Sequence, residues 1–120
     1  MARICGEKID ILSGDDFLLL PILAVGGKGI ISVTANIIPK EFSDMIRLFD
    51  EGCYKEAKEL FLTKIYPISK AMFIEPNPAP IKAALELMGL PAGLPRLPMC
   101  PASDDLKVEL RKILNNYGII

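Results

Sequence analysis

A chain of 120 residues with 51% hydrophobic and 24% charged residues is long enough to bury a core and too apolar to stay disordered. Its 14 basic and 15 acidic side chains leave a net charge of -1, with no basic stripe interleaved with aromatics, which argues against a nucleic-acid partner. The absence of histidine removes Ser-His and Cys-His nucleophile pairs, histidine metal sites and the usual general base, so any chemistry falls to lysine, carboxylates, hydroxyls or backbone.

The three cysteines, Cys5, Cys53 and Cys100, are odd in number, widely spaced and form no C-x-x-C pair, which suits a reducing cytoplasm. Acids at Glu7 and Asp10 stand where a secretory peptide would carry its apolar core, so no leader is expected. The first predicted element is a strand over residues 8–12, KIDIL. The turn Ser13, Gly14, Asp15, Asp16 then opens an apolar helix over residues 17–27, roughly half the ~20 residues a membrane crossing requires, and no membrane segment is predicted. From Gly29 the run GIISVTAN reads as a second strand with Ile30 and Val33 on one side and Ile31 on the other, a pattern of burial on both faces. Strand, helix, strand makes a βαβ unit with parallel strands and a right-handed crossover.

Beyond it the chain reads as helix. Pro39 opens a segment over residues 39–52 in which Phe42, Met45, Ile46 and Phe49 share a face, and Gly52 closes it. A longer helix over residues 54–74 turns Leu60, Phe61, Ile65, Ile68 and Met72 inward, with a kink at Pro67 and a solvated face carrying Glu51, Lys55 and Glu59. EPNPAP, residues 75–80, is expected to be a stiff extended connector to a helix over residues 81–88 that stops at Gly89. After the proline-rich residues 90–101, Ser103 caps a last helix whose stripe is Leu106, Leu110, Ile113, Leu114 and Tyr117. Four downstream helices can cover the faces of a two-stranded sheet, but they cannot supply the strand hydrogen bonds its open edges lack.

SGDD places two carboxylates at the carboxyl end of a strand, the edge where α/β ligand sites lie. Helix capping by Asp15 or Asp16 is the commoner use of such a turn; contact with a ligand, with Gly14 allowing close backbone approach, is the sharper one. GGKG lacks the spacing of a phosphate loop and precedes a strand, so it reads as a helix stop and a turn, with Lys28 and Lys8 at the edge opposite the expected site. Lys40 is on the correct side, but at an exposed helix start it is a poor imine-forming nucleophile, since that role needs a desolvated, neutral amine. The hydroxyls and amide of Ser32, Thr34 and Asn36 either satisfy nearby backbone or meet substrate, and the Ile31 carbonyl can face a barrel interior whatever its side chain does.

SGDD, GIISVTAN, EPNPAPIKAALELMGL and PRLPMCP, in this order and spacing, resemble the C-terminal part of the dihydrodipicolinate synthase and N-acetylneuraminate lyase family over essentially the whole chain, with EPNP and RLP favouring the synthase branch. The resemblance implies an α/β fold, the last two βα units of a (β/α)8 TIM barrel followed by a mainly helical C-terminal extension. Residues 1–52 would hold strand 7, helix 7, strand 8 and helix 8, and residues 53–120 the extension. Members condense pyruvate, held as an imine on a lysine, with aspartate semialdehyde in the cytoplasmic pathway to lysine and diaminopimelate, as homo-oligomers that are usually tetramers; no metal or cofactor is implied. On that mapping Ile31 offers its backbone carbonyl beside pyruvate, Gly14 lines the same pocket, and Asp15 and Asp16 lie toward the aldehyde. The imine-forming lysine belongs to the sixth strand and its tyrosine, threonine and arginine partners lie earlier, so no catalytic residue is expected here and the chain alone is expected to be inactive. Cys100 stands where the family often has threonine and Pro95 where it has a branched aliphatic; neither is expected to affect chemistry. Met1 is expected inside the helix before strand seven, as in a truncated gene product or a deliberately produced fragment. The rival expectation is a non-catalytic helical interaction module whose βαβ portion docks on a partner or a second copy.

Overall fold

Two short strands run parallel, and the rest of the described residues form helices, turns and an irregular stretch over residues 90–103. In the computed structural model, which describes residues 2–120 apart from the side chains of Ala2 and Glu7, β1 (Leu12–Ser13) pairs with β2 (Gly29–Ile30), Leu12 opposite Gly29 and Ser13 opposite Ile30. Bonds from Lys28 N–H to the Ile11 carbonyl and from Ile31 N–H to the Ser13 carbonyl, both 2.8 Å, carry the pairing slightly beyond each end. Met1, expected within a helix, lies outside the described residues, while Ala2–Cys5 form the short helix α1 and Gly6–Lys8 a 3-10 turn.

β1 therefore begins where the predicted strand over residues 8–12 was to end, and β2 stops before the SVTAN run. Among the described residues no strand pairs with the outer edge of either, so the backbone beyond the shared stretch has no ladder to hold it extended. The expectation that the second strand is buried on both faces also fails, because Ile31 is 71% exposed and Leu12 opposite its start is 49% exposed. A two-stranded sheet simply has too little around it to cover such faces.

The crossover begins with a 3-10 turn, Asp16–Leu18, that leads into α2 (Leu19–Ala24), where Leu19 and Leu23 are buried. Gly27 ends it: its N–H turns back onto the Ile22 carbonyl at 2.8 Å, and a Cβ there would lie 2.2 Å from the Ile22 side chain. GGKG is thus a helix stop, as its residues suggest. After β2, a 3-10 turn over Thr34–Asn36 delivers α3 (Pro39–Asp50), with Pro39 in the first turn and Phe42 and Met45 fully inward. Cys53 N–H reaches back to the Leu48 carbonyl at 2.8 Å across Gly52, whose φ of +78° is strained for any residue with a Cβ.

α4 (Tyr54–Leu60) packs on α3 and continues as a π-helical turn, Phe61–Ile65, and then as α5 (Tyr66–Ala71). Pro67 has no N–H to give the carbonyl four residues back, and the wider turn just ahead of it absorbs that missing bond, with Tyr66 N–H bonded to the Phe61 carbonyl. The predicted kink is therefore a change of helical register. α5 also ends earlier than residue 74, where Met72 N–H tightens onto the Ser69 carbonyl (2.9 Å) and the Asn77 amide donates to the Met72 carbonyl (3.0 Å). Packing divides the chain into two compact units, residues 1–66 and 67–120. α3 and α4, which pack on each other, both fall in the first unit.

In the second unit α6 (Ala79–Leu87) packs on α7 (Asp104–Asn116). The helix starts ahead of residue 81 because Pro80 fits its first turn, and the stretch before it bends rather than extends. Ser103 caps α7 as its sequence predicts, its hydroxyl accepting from Leu106 N–H at 3.1 Å, and Leu106, Leu110 and Leu114 are buried. The Glu75 carboxylate in turn accepts from Ser103 N–H (3.2 Å) and from its hydroxyl, tying the EPNP turn to the start of α7.

Ser103→Ala removes the α7 cap and is expected to cost about 1 kcal/mol, and Ser103→Gly only a few tenths, read as shifts of the urea midpoint by circular dichroism. In the first unit Lys64 bonds Glu41 at 2.7 Å. Burial works to raise the Glu41 carboxyl, but the Lys64 hydrogen bond, a backbone N–H and the nearby lysine charges outweigh it and hold the group below the ordinary glutamate range. A depressed carboxyl stabilises the fold above its unfolded value and loses that contribution as pH falls through its folded value. Lys64→Met is therefore expected to cost about 0.5 kcal/mol at neutral pH, a partly exposed pair being worth little more. That cost should vanish as acid titrates Glu41, and a pH-independent cost would refute the tie.

Candidate functional site

The carboxyl ends of β1 and β2 lie side by side and carry the residues that the sequence offers for contact with a ligand. From β1 come Ser13, Gly14, Asp15 and Asp16; from β2 come Ile31, Ser32, Thr34 and Asn36. Parallel pairing brings these two loops together, since both strands point the same way.

Asp15 does what a cap does. Its Oδ1 accepts from Phe17 N–H at 2.8 Å, and its main chain is tied to the Ser13 hydroxyl, which donates to the Asp15 carbonyl at 2.7 Å. Asp16 does something the sequence reading missed. It is 1% exposed, and its Oδ2 accepts from both Thr34 N–H (2.9 Å) and the Thr34 hydroxyl (2.6 Å), across 18 residues of sequence. Burial and two donors thus turn Asp16 onto the neighbouring loop within this chain. Its only trace in the sequence is an Asp and a Thr that each stand a few residues past the ends of adjacent parallel strands, a placement that does not fix the contact. Its Oδ1 is buried without a hydrogen bond among the described residues.

The other polar residues of the second loop serve nearby backbone. Ser32 Oγ accepts from Ala35 N–H at 2.8 Å, and the Asn36 amide donates to the Val33 carbonyl at 2.8 Å. Thr34, wholly buried, is the exception. Ile31 stands at the mouth of this edge, its N–H held by Ser13 and its side chain in solvent. Gly14 is exposed and its Cα has room: a Cβ there would meet nothing within 4 Å. The packing of this chain therefore does not require glycine at that position. The 3-10 turn behind Asp15 is braced by Phe17, whose ring stands edge-on to Tyr66 at 5.3 Å.

The nearby amine is badly suited to covalent chemistry. Lys40 is fully exposed, and the hydrogen bond and charge of Asp44 raise its pKa, which keeps it a protonated cation, the opposite of what imine formation needs. Lys28 lines a separate concavity with Gly6, Asp10 and Gly26 at the amino-terminal edge of the strands. No three cysteines or carboxylates among the described residues gather closely enough to hold a metal ion, and no helix is long and apolar enough to cross a membrane.

Compared with known proteins, residues 1–117 match the model of the dihydrodipicolinate synthetase family. A 4-hydroxy-tetrahydrodipicolinate synthase of Methanocaldococcus jannaschii is 52% identical over 113 residues, which is 94% of this chain and 39% of that protein. Among solved structures, the dihydrodipicolinate synthase of Aquifex aeolicus matches with a TM-score of 0.92 at 37% identity, over 98% of this chain and 40% of that one. The chloride-inhibited dihydrodipicolinate synthase of Acinetobacter baumannii, in complex with pyruvate, matches with a TM-score of 0.90 at 36% identity, over 99% of this chain and 40% of that one. The chain spans about two fifths of the length of the curated relatives it matches.

Asp16→Ala strands two buried donors on Thr34 and is expected to cost about 2 kcal/mol, whereas Asp15→Ala removes one partly exposed cap and should cost about 1 kcal/mol or less. Urea denaturation of the two variants checks the order. An Asp15 variant that proves the more costly would show that the Asp16 bond carries little of the stability.

Proposed function

The chain belongs to the dihydrodipicolinate synthetase family, and from that membership we propose that it supplies the C-terminal part of a pyruvate-dependent, Schiff-base-forming lyase that condenses pyruvate with aspartate semialdehyde. In this reading β1, α2, β2 and α3 are the seventh and eighth βα units of a (β/α)8 barrel, and the helices after them form its extension. The complete enzyme is a cytoplasmic homo-oligomer, a tetramer as in much of the family.

The observation that carries the reading is an incomplete parallel sheet: two strands with apolar, solvent-exposed Leu12 and Ile31 and no further strand beside either of them among the described residues. Parallel strands of α/β proteins are buried on both faces, so such a pair is a part of a larger sheet. Gly14 supports the placement of the ligand. Nothing in the chain's own packing forbids a side chain there, which fits a glycine kept for something that approaches its backbone from outside.

The chemistry is then divided. An amine that attacks a keto acid must be neutral and desolvated, and it belongs to a strand outside this chain. What residues 12–36 contribute is the wall opposite it. The Ile31 carbonyl accepts a hydrogen bond at the pyruvate end of the pocket, Gly14 lets the substrate lie against backbone, and Asp15 stands toward the aldehyde. Asp16 takes no direct part. Without the amine the chain binds no substrate covalently.

A second reading has one observation in its favour: residues 67–120 form a compact unit of their own. That suits a non-catalytic helical interaction module that includes residues 67–120, with the βαβ portion, in the other unit, docking on a partner or on a second copy.

Incubation with pyruvate followed by borohydride reduction and intact mass measurement separates the readings. The chain alone is expected to give no adduct. Mixed with the N-terminal three fifths of the Methanocaldococcus relative, an adduct should form and map to the added segment. An adduct on Lys40 or any other lysine of this chain would overturn the division of labour, and no adduct in the mixture would favour the non-catalytic module.

A further inference from the structure

Two cross-links join the loops at the ends of β1 and β2. The first is Ile31 N–H to the Ser13 carbonyl, 2.8 Å. The second is Thr34 N–H and hydroxyl to Asp16 Oδ2, 2.9 and 2.6 Å. They lie three residues apart on each segment, so together they close a ring in which Ser13 to Asp16 forms one side and Ile31 to Thr34 the other. Gly14 and the Ile31 carbonyl both lie within that ring. A single strand-end hydrogen bond frays readily, since beyond it neither chain is held. A second link three residues on removes that freedom, and this one is buried and accepted by a carboxylate, the stronger kind of hydrogen bond.

We infer that Asp16 is a positioning residue: acting through Thr34, it holds the Ile31 carbonyl and the Gly14 backbone at a fixed separation, so that the wall of the pyruvate pocket is set before substrate arrives. This rests on the function proposed above, in which those two backbone groups meet pyruvate. A loop that had to be ordered on binding would cost affinity, and preorganisation recovers it. The site's rigidity thus comes from a side chain that never touches substrate.

Thr34→Val removes the hydroxyl bond, Thr34→Ser restores it, and Asp16→Asn retains an acceptor oxygen for both Thr34 donors. Because Asp16 Oδ1 makes no hydrogen bond among the described residues, the amide nitrogen that replaces it breaks none. Amide hydrogen exchange of the whole chain reads the effect at Ile31, with Lys28 N–H, which bonds the Ile11 carbonyl at the other end of the same pairing, as internal control. In Thr34→Val the Ile31 amide should exchange about tenfold faster with Lys28 little changed, Thr34→Ser should stay within about twofold of the parent, and Asp16→Asn, which keeps an acceptor but loses its charge, should fall between the two. Equal acceleration at Ile31 and Lys28, or none at Ile31, overturns the inference. Should Thr34→Val fail to fold, Asp16→Asn against Asp16→Ala makes the same comparison.

In the mixture with the upstream segment, the pyruvate concentration for half-maximal imine trapping should rise about tenfold in Thr34→Val and recover in Thr34→Ser. Unchanged pyruvate dependence in a mixture that does trap imine sinks the positioning role. If the parent mixture traps nothing, the proposed function is what has failed, and the exchange comparison still decides whether Asp16 holds Ile31.

Discussion

A parallel pair of strands satisfies one edge of each and leaves the other bare, and most of what is unusual here follows from that constraint. β1 and β2 are each two residues long because only the stretch they share is held extended. Leu12 and Ile31, side chains that belong in a sheet's interior, stand in solvent. The loops that follow are nevertheless well ordered in the hydrogen-bonding sense, since Ser13, Asp15, Asp16, Ser32 and Thr34 all find partners within this chain. The site edge is built locally even though the sheet is not complete locally.

Charge plays a secondary part. The ion pairs of α3 and α7 are mostly exposed and spaced three or four residues apart on one helix, where solvent screening leaves each of them worth little. The Lys64 to Glu41 pair is the more enclosed one and joins two elements. Lys40 shows the same local character: Asp44, one helical turn away, favours its cation, and the amine stands in solvent rather than in the desolvated setting that imine formation needs.

The helices were legible because their signals are local. Ser103 ahead of two aspartates, Pro39 opening a stripe of Phe42 and Met45, and Gly27 closing α2 each act within a turn or two of the backbone they control. The strands were legible in kind and direction but not in length, because strand length depends on neighbours that a short window cannot reveal. Pro67 announced a disturbance without specifying its form; whether a missing hydrogen bond becomes a bend or a π turn depends on packing around Phe61 and Ile65. Asp15 as a cap was readable from its place before the 3-10 turn. Asp16 was not, since an identical residue one position on could equally have faced solvent, and only the approach of Thr34 decides the matter.

The central claim is that the bare edges of β1 and β2 are seats for further parallel strands. Amide exchange over residues 11–14 and 28–32, recorded with and without the N-terminal three fifths of the Methanocaldococcus relative, addresses it most directly. Marked slowing across both segments, with α7 unaffected, is the expected result. Exchange in those segments that stays as fast as in the chain alone, although the two polypeptides demonstrably associate, would contradict it.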